Sequence, residues 1–431
     1  MGRSLHPTTS ILNNIVVASG ALQSGNLDSR IIQVYYLFAL ILKNSNLVYK
    51  KWEKNDRLKK TVAKNIRPAV FLFILAGCSS LLLADLETFG YYENRFFVLS
   101  SGTLNLQEIS ENFSLGDYNR LRLQFKSSVS KNISINLALD FLTFHGIIKG
   151  PLGVYESPGQ SDSTHTDLDR AYIDFYFPGF DMTIGKQRVA IGVSHLWAPL
   201  DLFNRVNIFE PKEEKPGVNA FKIYVPVGET SSLTGVFSPE EDFKSSKSGF
   251  RAQTLLKGVD IGLSLIHYGM KNQMIYGIDL RGENIIGWWL EGGYFSSAAE
   301  NNIKIVLGFD YTFPYKRGIY WLNEFFYDES GEKDSARYDY DKLLTGDRFT
   351  LGQKYYFSSL QFPFTHFLAG SVSYIGNWTD GSYILSPGLR YELTQNVALN
   401  LGLFFLMGKK GGEFNREGAN DIFFIWLKMN F

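Results

Sequence analysis

The chain closes on residues 421–431, "DIFFIWLKMNF". From Phe423 every second residue is apolar: Phe423, Ile425, Leu427, Met429 and Phe431 alternate with Phe424, Trp426, Lys428 and Asn430. Side chains of an extended strand point alternately to opposite faces, so one face of this stretch is wholly apolar. A chain end is ordinarily polar and frayed. A strand that alternates to its last residue and stops on an aromatic ring must be held by a neighbouring strand.

The same period of two recurs upstream. In "YNRLRLQFK", Leu121, Leu123 and Phe125 oppose Arg120, Arg122 and Lys126. In "NISINLALDF", Ile133, Ile135, Leu137, Leu139 and Phe141 oppose Ser134, Asn136, Ala138 and Asp140. In "DRAYIDFYF", Ile173, Phe175 and Phe177 oppose Arg170, Tyr172, Asp174 and Tyr176. In "NIKIVLGFDYTF", Ile303, Ile305, Leu307 and Phe309 oppose Lys304, Gly308 and Asp310. In "YILSPGLRYEL", Leu389, Tyr391 and Leu393 oppose Gly388, Arg390 and Glu392.

These runs are about 9–13 residues long, whereas strands of soluble proteins centre on about 5–6. A tilted strand crossing a bilayer needs about 9–11. Aromatic residues gather at run ends, as in "YFP" before Pro178, "YTFPY" at 311–315 and "QFPF" at 361–364. The pattern predicts an all-β transmembrane antiparallel barrel of about 18 strands, with 16 as the alternative. Its apolar rows face lipid and its polar rows line the lumen. The runs include 86–99, 117–129, 168–178, 180–192, 350–361 and 421–431. Connections are short on one side and long on the other, as at 100–116, 146–167, 193–218, 329–349 and 409–420, which predicts short periplasmic turns and long extracellular loops. Even strand number brings both ends together, and the last strand must pair with the first, because an open edge cannot be left in lipid.

The barrel is expected over 85–431. Residues 59–84 carry a basic stretch and the apolar run "AVFLFILAGCSSLLLA", the pattern of a secretory signal peptide. Cleavage is expected after Ala84, with lipidation at Cys78 as the alternative. Residues 1–58 are expected to be an upstream leader outside the mature protein. The 43 basic and 43 acidic residues balance overall, but 1–84 holds 11 basic and 3 acidic ones. That leaves 32 basic (43 less 11) and 40 acidic (43 less 3) residues beyond it, a balance unsuited to a nucleic-acid partner. A single cysteine excludes an internal disulfide. Beyond residue 84 the histidines His145, His165, His195, His267 and His366 show no metal-ligand spacing, so neither a metal, a cofactor nor an enzyme is expected.

Within 184–217, Gly185, Gln187, Trp197, Pro199, Asp201, Phe203, Asn204, Pro216 and Gly217 resemble the motif of porin-like barrels related to the alginate-export family. The resemblance implies a channel for small hydrophilic solutes. Alternatives are an exporter or substrate-specific channel for a polysaccharide or apolar compound, and a structural or adhesive barrel without a pore. The partners implied are outer-membrane lipid and lipopolysaccharide, the barrel-assembly machinery reading Phe431, and a small solute, in a monomer or homo-trimer of a Gram-negative outer membrane.

The loop at 193–218 is long yet carries Trp197, Leu200, Leu202, Phe203, Ile208 and Phe209. A long loop with apolar anchors is usually functional or packed. Two readings remain: a loop folded into the lumen, with Trp197, Asp201, Phe203 and Arg205 at a constriction, or a packed rim. The candidate lumen wall is Arg120, Arg122, Lys126, Asp140, Arg170, Asp174, Asp310, Glu324 and Glu392. Basic residues concentrate in early strands and acidic ones later, which suggests a field across the lumen. Arginine should be tolerated better at the lumen positions Asn136 and Gly308 than at the lipid-row Leu137 and Leu307.

Overall fold

The computed structural model describes residues 86–100, 113–146, 163–204, 215–298, 300–344, 348–415 and 421–431. The expectations for 1–58 and 59–84, and for Arg205, lie outside the described residues.

Eighteen strands form one closed antiparallel sheet. They are β1 (Leu86–Ser100), β2 (Phe113–Ser130), β3 (Ile133–Gly146), β4 (Ser163–Phe177), β5 (Phe180–Gln187), β6 (Val218–Val227), β7 (Ser231–Ser238), β8 (Lys247–Leu256) and β9 (Val259–Tyr268). The second half comprises β10 (Gln273–Glu283), β11 (Gly287–Ser297), β12 (Asn301–Phe313), β13 (Ile319–Asp328), β14 (Lys354–Pro363), β15 (Leu368–Asn377), β16 (Ser382–Thr394), β17 (Val397–Gly408) and β18 (Asp421–Asn430). Each strand pairs with its neighbours in sequence. The seam is β1–β18, in register from Tyr91↔Asn430 to Ser100↔Asp421. Gly90 and Phe431 exchange reciprocal backbone hydrogen bonds of 2.9 and 3.0 Å below it. The terminal aromatic residue is thus tied into the first strand, and the sheet has no open edge to leave unsatisfied in lipid.

The two rows separate as the sequence dictates. On β12, Leu307 is 50% exposed on the outer face while Val306 is fully buried on the inner one. Outer-face aromatic rings form two tiers. Toward the short turns lie the stacked Phe175, Phe177 and Phe180, the Phe313–Trp321 pair and the Phe362–Phe364 pair. Toward the long loops lie Phe325, Tyr356 and Trp378, with Tyr374 against Tyr383. Rings that are apolar in body and polar at the edge favour the two interfaces of a bilayer. The turns are tight: Lys257 (φ 52°) and Gly258 (φ 81°) both adopt the left-handed conformation. That is the backbone of a two-residue hairpin whose twist matches its strands.

Four strand ends differ most from the sequence expectation. Strand β5 ends at Gln187, not 192, because Val189 and Ile191 turn into the lumen and pack there. Strands β2 and β4 start before 117 and 168. On β4 the outward residues of the extension are the polar Thr164 and Thr166, and on β2 the polar Asp117 and Asn119 break the outward row before Leu115, so apolar alternation could not mark these starts. On β2, Asn119 and Asp117 bond Asn94 of β1. Strand β14 starts at Lys354 rather than 350, since the N–H groups of Leu351 and Gly352 go to the Tyr355 hydroxyl instead of a neighbouring strand. A further correction concerns Gly308. It faces inward as expected, but a Cβ there would lie 2.1 Å from the Trp289 indole, so the position cannot accept a side chain.

Candidate functional site: a loop across the lumen and the walls that face it

The connection from β5 to β6 leaves the wall at Arg188 and returns at Gly217, and its first part, to Asn204, is described. Asn204 clips the two ends together. Its Oδ1 accepts from the Val189 N–H at 2.5 Å, and its Nδ2 donates to the Pro216 carbonyl. Between those ends the chain reaches the opposite side. Strand β13 lies eight positions from β5 in the 18-strand ring, close to diametrically opposite.

Two inward carboxylates receive it. Glu291 on β11 accepts from the N–H groups of Val193 (2.8 Å), Ser194 (3.0 Å) and Leu200 (2.9 Å). Glu324 on β13 accepts from those of His195 (2.6 Å), Leu196 (2.8 Å) and Trp197 (3.3 Å), and from the Trp289 indole (2.9 Å). Successive N–H groups of a turn form a concave anion site, and here the wall supplies the anion. Gly192 permits the approach: its φ is +95°, and a Cβ would lie 2.4 Å from a Glu291 oxygen. Both glutamates are fully buried. A buried carboxylate is costly unless fully hydrogen-bonded, and the loop backbone supplies that bonding.

Apolar contacts complete the anchorage. Trp197 enters an aromatic cage, 5.6 Å from Phe326, 5.9 Å from Tyr355 and 6.4 Å from Phe357. Nearer β5, Val189, Ile191, Leu200, Leu202 and Phe203 pack on Ala220, Val236, Ile266, Ile275 and Phe295 of the wall. Wall glycines provide the sockets. A Cβ on Gly277 would lie 2.6 Å from Leu200, one on Gly293 3.1 Å from Leu200, and one on Gly249 3.1 Å from Phe203. Burying Ile191, Leu200, Leu202 and Phe203 alone is worth about 6–12 kcal/mol in gross transfer terms, at about 1.5–3 each. Asp201 pairs with Lys215 on the returning limb. Burial nonetheless holds its carboxyl above the usual carboxylate range, against the pull of Lys215.

The wall facing these anchors is an ion-pair network spread over four strands. Arg120 Nη2 lies 2.7 Å from Asp140, and Arg122 lies 3.4 Å from Asp140 and 2.6 Å from Asp169. Arg120 is also 3.8 Å from Glu93, which pairs with Arg95 at 3.4 Å. The Arg95 guanidinium sits 3.8 Å over the Trp426 ring, bridging the barrel seam. Asp169 accepts from the Gly217 N–H at 3.2 Å, joining the network to the foot of the loop.

The remaining candidates are distributed along the lumen. Arg170 stands 3.5 Å from Asp169. Asp174 accepts from Thr183 (2.8 Å), Asn136 and Ser134, and Asp310 from the Tyr320 hydroxyl at 2.8 Å. Arg390 and Glu392 form an exposed pair at 2.7 Å, and Lys126 is exposed. Trp197, Asp201 and Phe203 all belong to the loop, but they are buried in its seat. The charges expected to set up a field are largely paired: Asp279 with Arg251, the arginines of β2 with Asp140 and Asp169, and Glu291 and Glu324 with loop N–H groups. Sequence reading missed Asp169, Glu93 and Arg95. Asp169 falls at a register shift opposite Ala138 and Leu139, where alternation loses its parity. Among the described residues no group of three His, Cys, Asp or Glu could hold a metal.

No family model matches the chain, and no curated protein matches it. The likeness to alginate-export barrels therefore rests on the residues quoted above. Solved structures do match. A BenF-like porin from Pseudomonas fluorescens Pf-5 aligns at TM-score 0.53 and 12% identity, covering 81% of this chain and 99% of the porin. OccK9 (OpdG) of Pseudomonas aeruginosa aligns at TM-score 0.54 and 11% identity, covering 81% and 100%. OccK2 (OpdF) of the same organism, solved in complex with glucuronate, aligns at 0.52 and 10%, covering 81% and 97%. This chain, a closed 18-strand antiparallel barrel, is thus similar in fold to these porins.

Proposed function

We propose that the protein is an outer-membrane channel of a Gram-negative type bacterium that passes small hydrophilic solutes. The observation that carries this reading is the loop seated across the lumen on Glu291 and Glu324. A barrel serving only as a scaffold or adhesin has no need to fix a narrowing element to its far wall with six backbone hydrogen bonds. The loop turns a wide tube into a narrow path bordered by paired charges, the arrangement by which pores select among solutes. Trp197, Asp201 and Phe203 hold the constriction in shape, and Arg205 lies on the same loop. The likeness in fold to porins supports the class of function.

The seating of the loop also supports a substrate-selective channel over a general one. Glucuronate, bound in the OccK2 structure, is a reasonable first probe. The lipid-facing Phe431 serves the barrel-assembly machinery, and the aromatic tiers meet outer-membrane lipid and lipopolysaccharide. A homo-trimer is one assembly such a barrel adopts.

Planar-bilayer recording tests the reading. The wild type should give steady open-channel steps. Deleting 198–203, with a Gly-Ser bridge, should raise single-channel conductance several-fold. A correctly inserted barrel that is electrically silent, or that conducts the same with and without the loop, would remove the channel or the constriction respectively.

A further inference from the structure

A second buried cluster lies at the long-loop end, apart from the loop anchors. Glu413, in the connection between β17 and β18, is 1% exposed. One of its oxygens accepts from the Leu351 N–H at 3.2 Å. The other accepts from the Tyr355 hydroxyl and from Asn377 Nδ2 at 2.8 Å. The same Asn377 amide donates to Asp380 at 3.0 Å and to the Tyr338 hydroxyl at 3.0 Å. Asp380, in the β15–β16 turn, accepts in addition from the Glu413 N–H (2.9 Å) and from Ser382. Two buried carboxylates therefore share one amide donor, with tyrosines from β14 and from the 329–353 connection around them. No cation faces either carboxylate among the described partners.

The cluster joins three separate segments of the barrel mouth. The residue after Glu413 is Phe414, which is buried in the same apolar group as Trp197, the tip of the crossing loop. Releasing Glu413 would withdraw Phe414 from the lid over that anchor.

We propose that Glu413 and Asp380 form a proton-operated latch, which docks the segment 409–415 on the barrel mouth while the pair holds a proton and frees it when the proton leaves. A lone proton resolves the conflict of two carboxylates in one dry site, because it removes one of the two charges. Burial pushes the Glu413 carboxyl up to about 7. Hydrogen bonds from Tyr355, Leu351 and Asn377 oppose the rise, and the Asp380 charge adds to it. The pKa is raised in the docked state above the free value of about 4.3. The contribution to docking is thus complete below the free value and disappears as pH rises through about 7. Between pH 6 and 8 the docking equilibrium should weaken about tenfold.

Hydrogen–deuterium exchange of 409–415 in the full barrel, corrected at each pH for intrinsic exchange, reads the latch without reference to conduction. Protection in the wild type should fall about tenfold from pH 6 to 8. Glu413→Gln should stay protected across that range. Asp380→Asn removes the neighbouring charge, so its loss of protection should begin at lower pH. Uniform wild-type protection over this range would overturn the latch, as would a wild-type pH response in Glu413→Gln. If Glu413→Gln fails to assemble, the Asp380→Asn midpoint decides, and an unmoved midpoint also overturns it. Conductance measured in parallel rests on the channel reading, so a pH-dependent loop in a silent barrel would leave the latch standing and remove only the channel.

Discussion

Two walls face each other across this barrel, and both bury charge by different means. On β1–β4, arginine and carboxylate side chains of adjacent strands pair with one another. On β11–β13, the carboxylates Glu291 and Glu324 have no cation beside them among the described residues and are met by the backbone of a loop that starts almost opposite. The first solution is local to the wall, and side-chain pairs suffice for it. The second makes the wall and the loop depend on each other, because each supplies what the other lacks. A mutation in the first wall should therefore be felt by the barrel, and one in the second mainly by the passage.

The largest expected effect comes from the first wall. Asp140→Ala takes from Arg120 and Arg122 an acceptor they share. Breaking a buried pair by deleting one partner costs about 3–5 kcal/mol. The urea midpoint of the folded barrel in detergent should drop accordingly, while conductance of the barrels that do insert stays near wild type. A large conductance change with unaltered stability would show that the network, not the loop, bounds the passage.

On the second wall, Glu324→Ala strands the N–H groups of His195, Leu196 and Trp197 and the Trp289 indole. Orphaned buried donors cost about 1–3 kcal/mol each, yet the loop can swing to water and recover them. The net loss of barrel stability should be small, about 1–2 kcal/mol, and most of the change should appear as higher and noisier single-channel conductance. Glu324→Gln keeps one acceptor oxygen and should fall between. If Glu324→Ala lowers the urea midpoint as far as Asp140→Ala does, the distinction between the walls fails.

How much of this was legible in the sequence follows from the range over which each feature acts. The bilayer imposes one rule on every strand, so Leu307 against Gly308, or Phe423 against Phe424, could be assigned from alternation alone. The loop was legible as an anomaly, since Trp197, Leu200 and Phe203 are too apolar for a hydrated connection. Its receptors were not. Glu324 lies 129 residues from His195 and Glu291 lies 91 from Leu200, and a side chain accepting from a distant backbone leaves no local spacing. Glutamates in a lumen row read as pore lining whether they face water or a loop. The glycine sockets were hidden for a related reason. Gly277 and Gly293 interrupt their rows without marking what fills the space.

Those sockets allow a finer cut. Gly293→Ala would place a methyl group 3.1 Å from Leu200 and 2.8 Å from Phe295 on the lumen face. Overpacking costs about 1–3 kcal/mol when neighbours cannot yield. Phe295 belongs to the wall and Leu200 to the loop, so the loop should move. Conductance should rise modestly, with stability little altered, and the extra truncation Leu200→Ala should restore the Glu291 contact and bring conductance back toward wild type. Failure of that rescue would mean that Leu200 is not the element displaced.

The smallest effect is expected where the lumen is wet. Arg390 and Glu392 sit two residues apart on one inward row and pair at 2.7 Å, with side chains 49% and 35% exposed. Exposed pairs contribute about 0–1 kcal/mol and are screened by salt. The double-mutant cycle of Arg390→Gln and Glu392→Gln should therefore give a coupling below about 1 kcal/mol. It should decline further as ionic strength rises and the Debye length falls toward about 3 Å at 1 M. Asp140 and Arg120, side chains 2% exposed, should keep their coupling in the same salt series. The contrast separates charges that line water from charges that have left it. A salt-insensitive Arg390–Glu392 coupling would place the dry part of the lumen nearer the short turns than the loop, and the seat of the constriction would then have to be sought on β16.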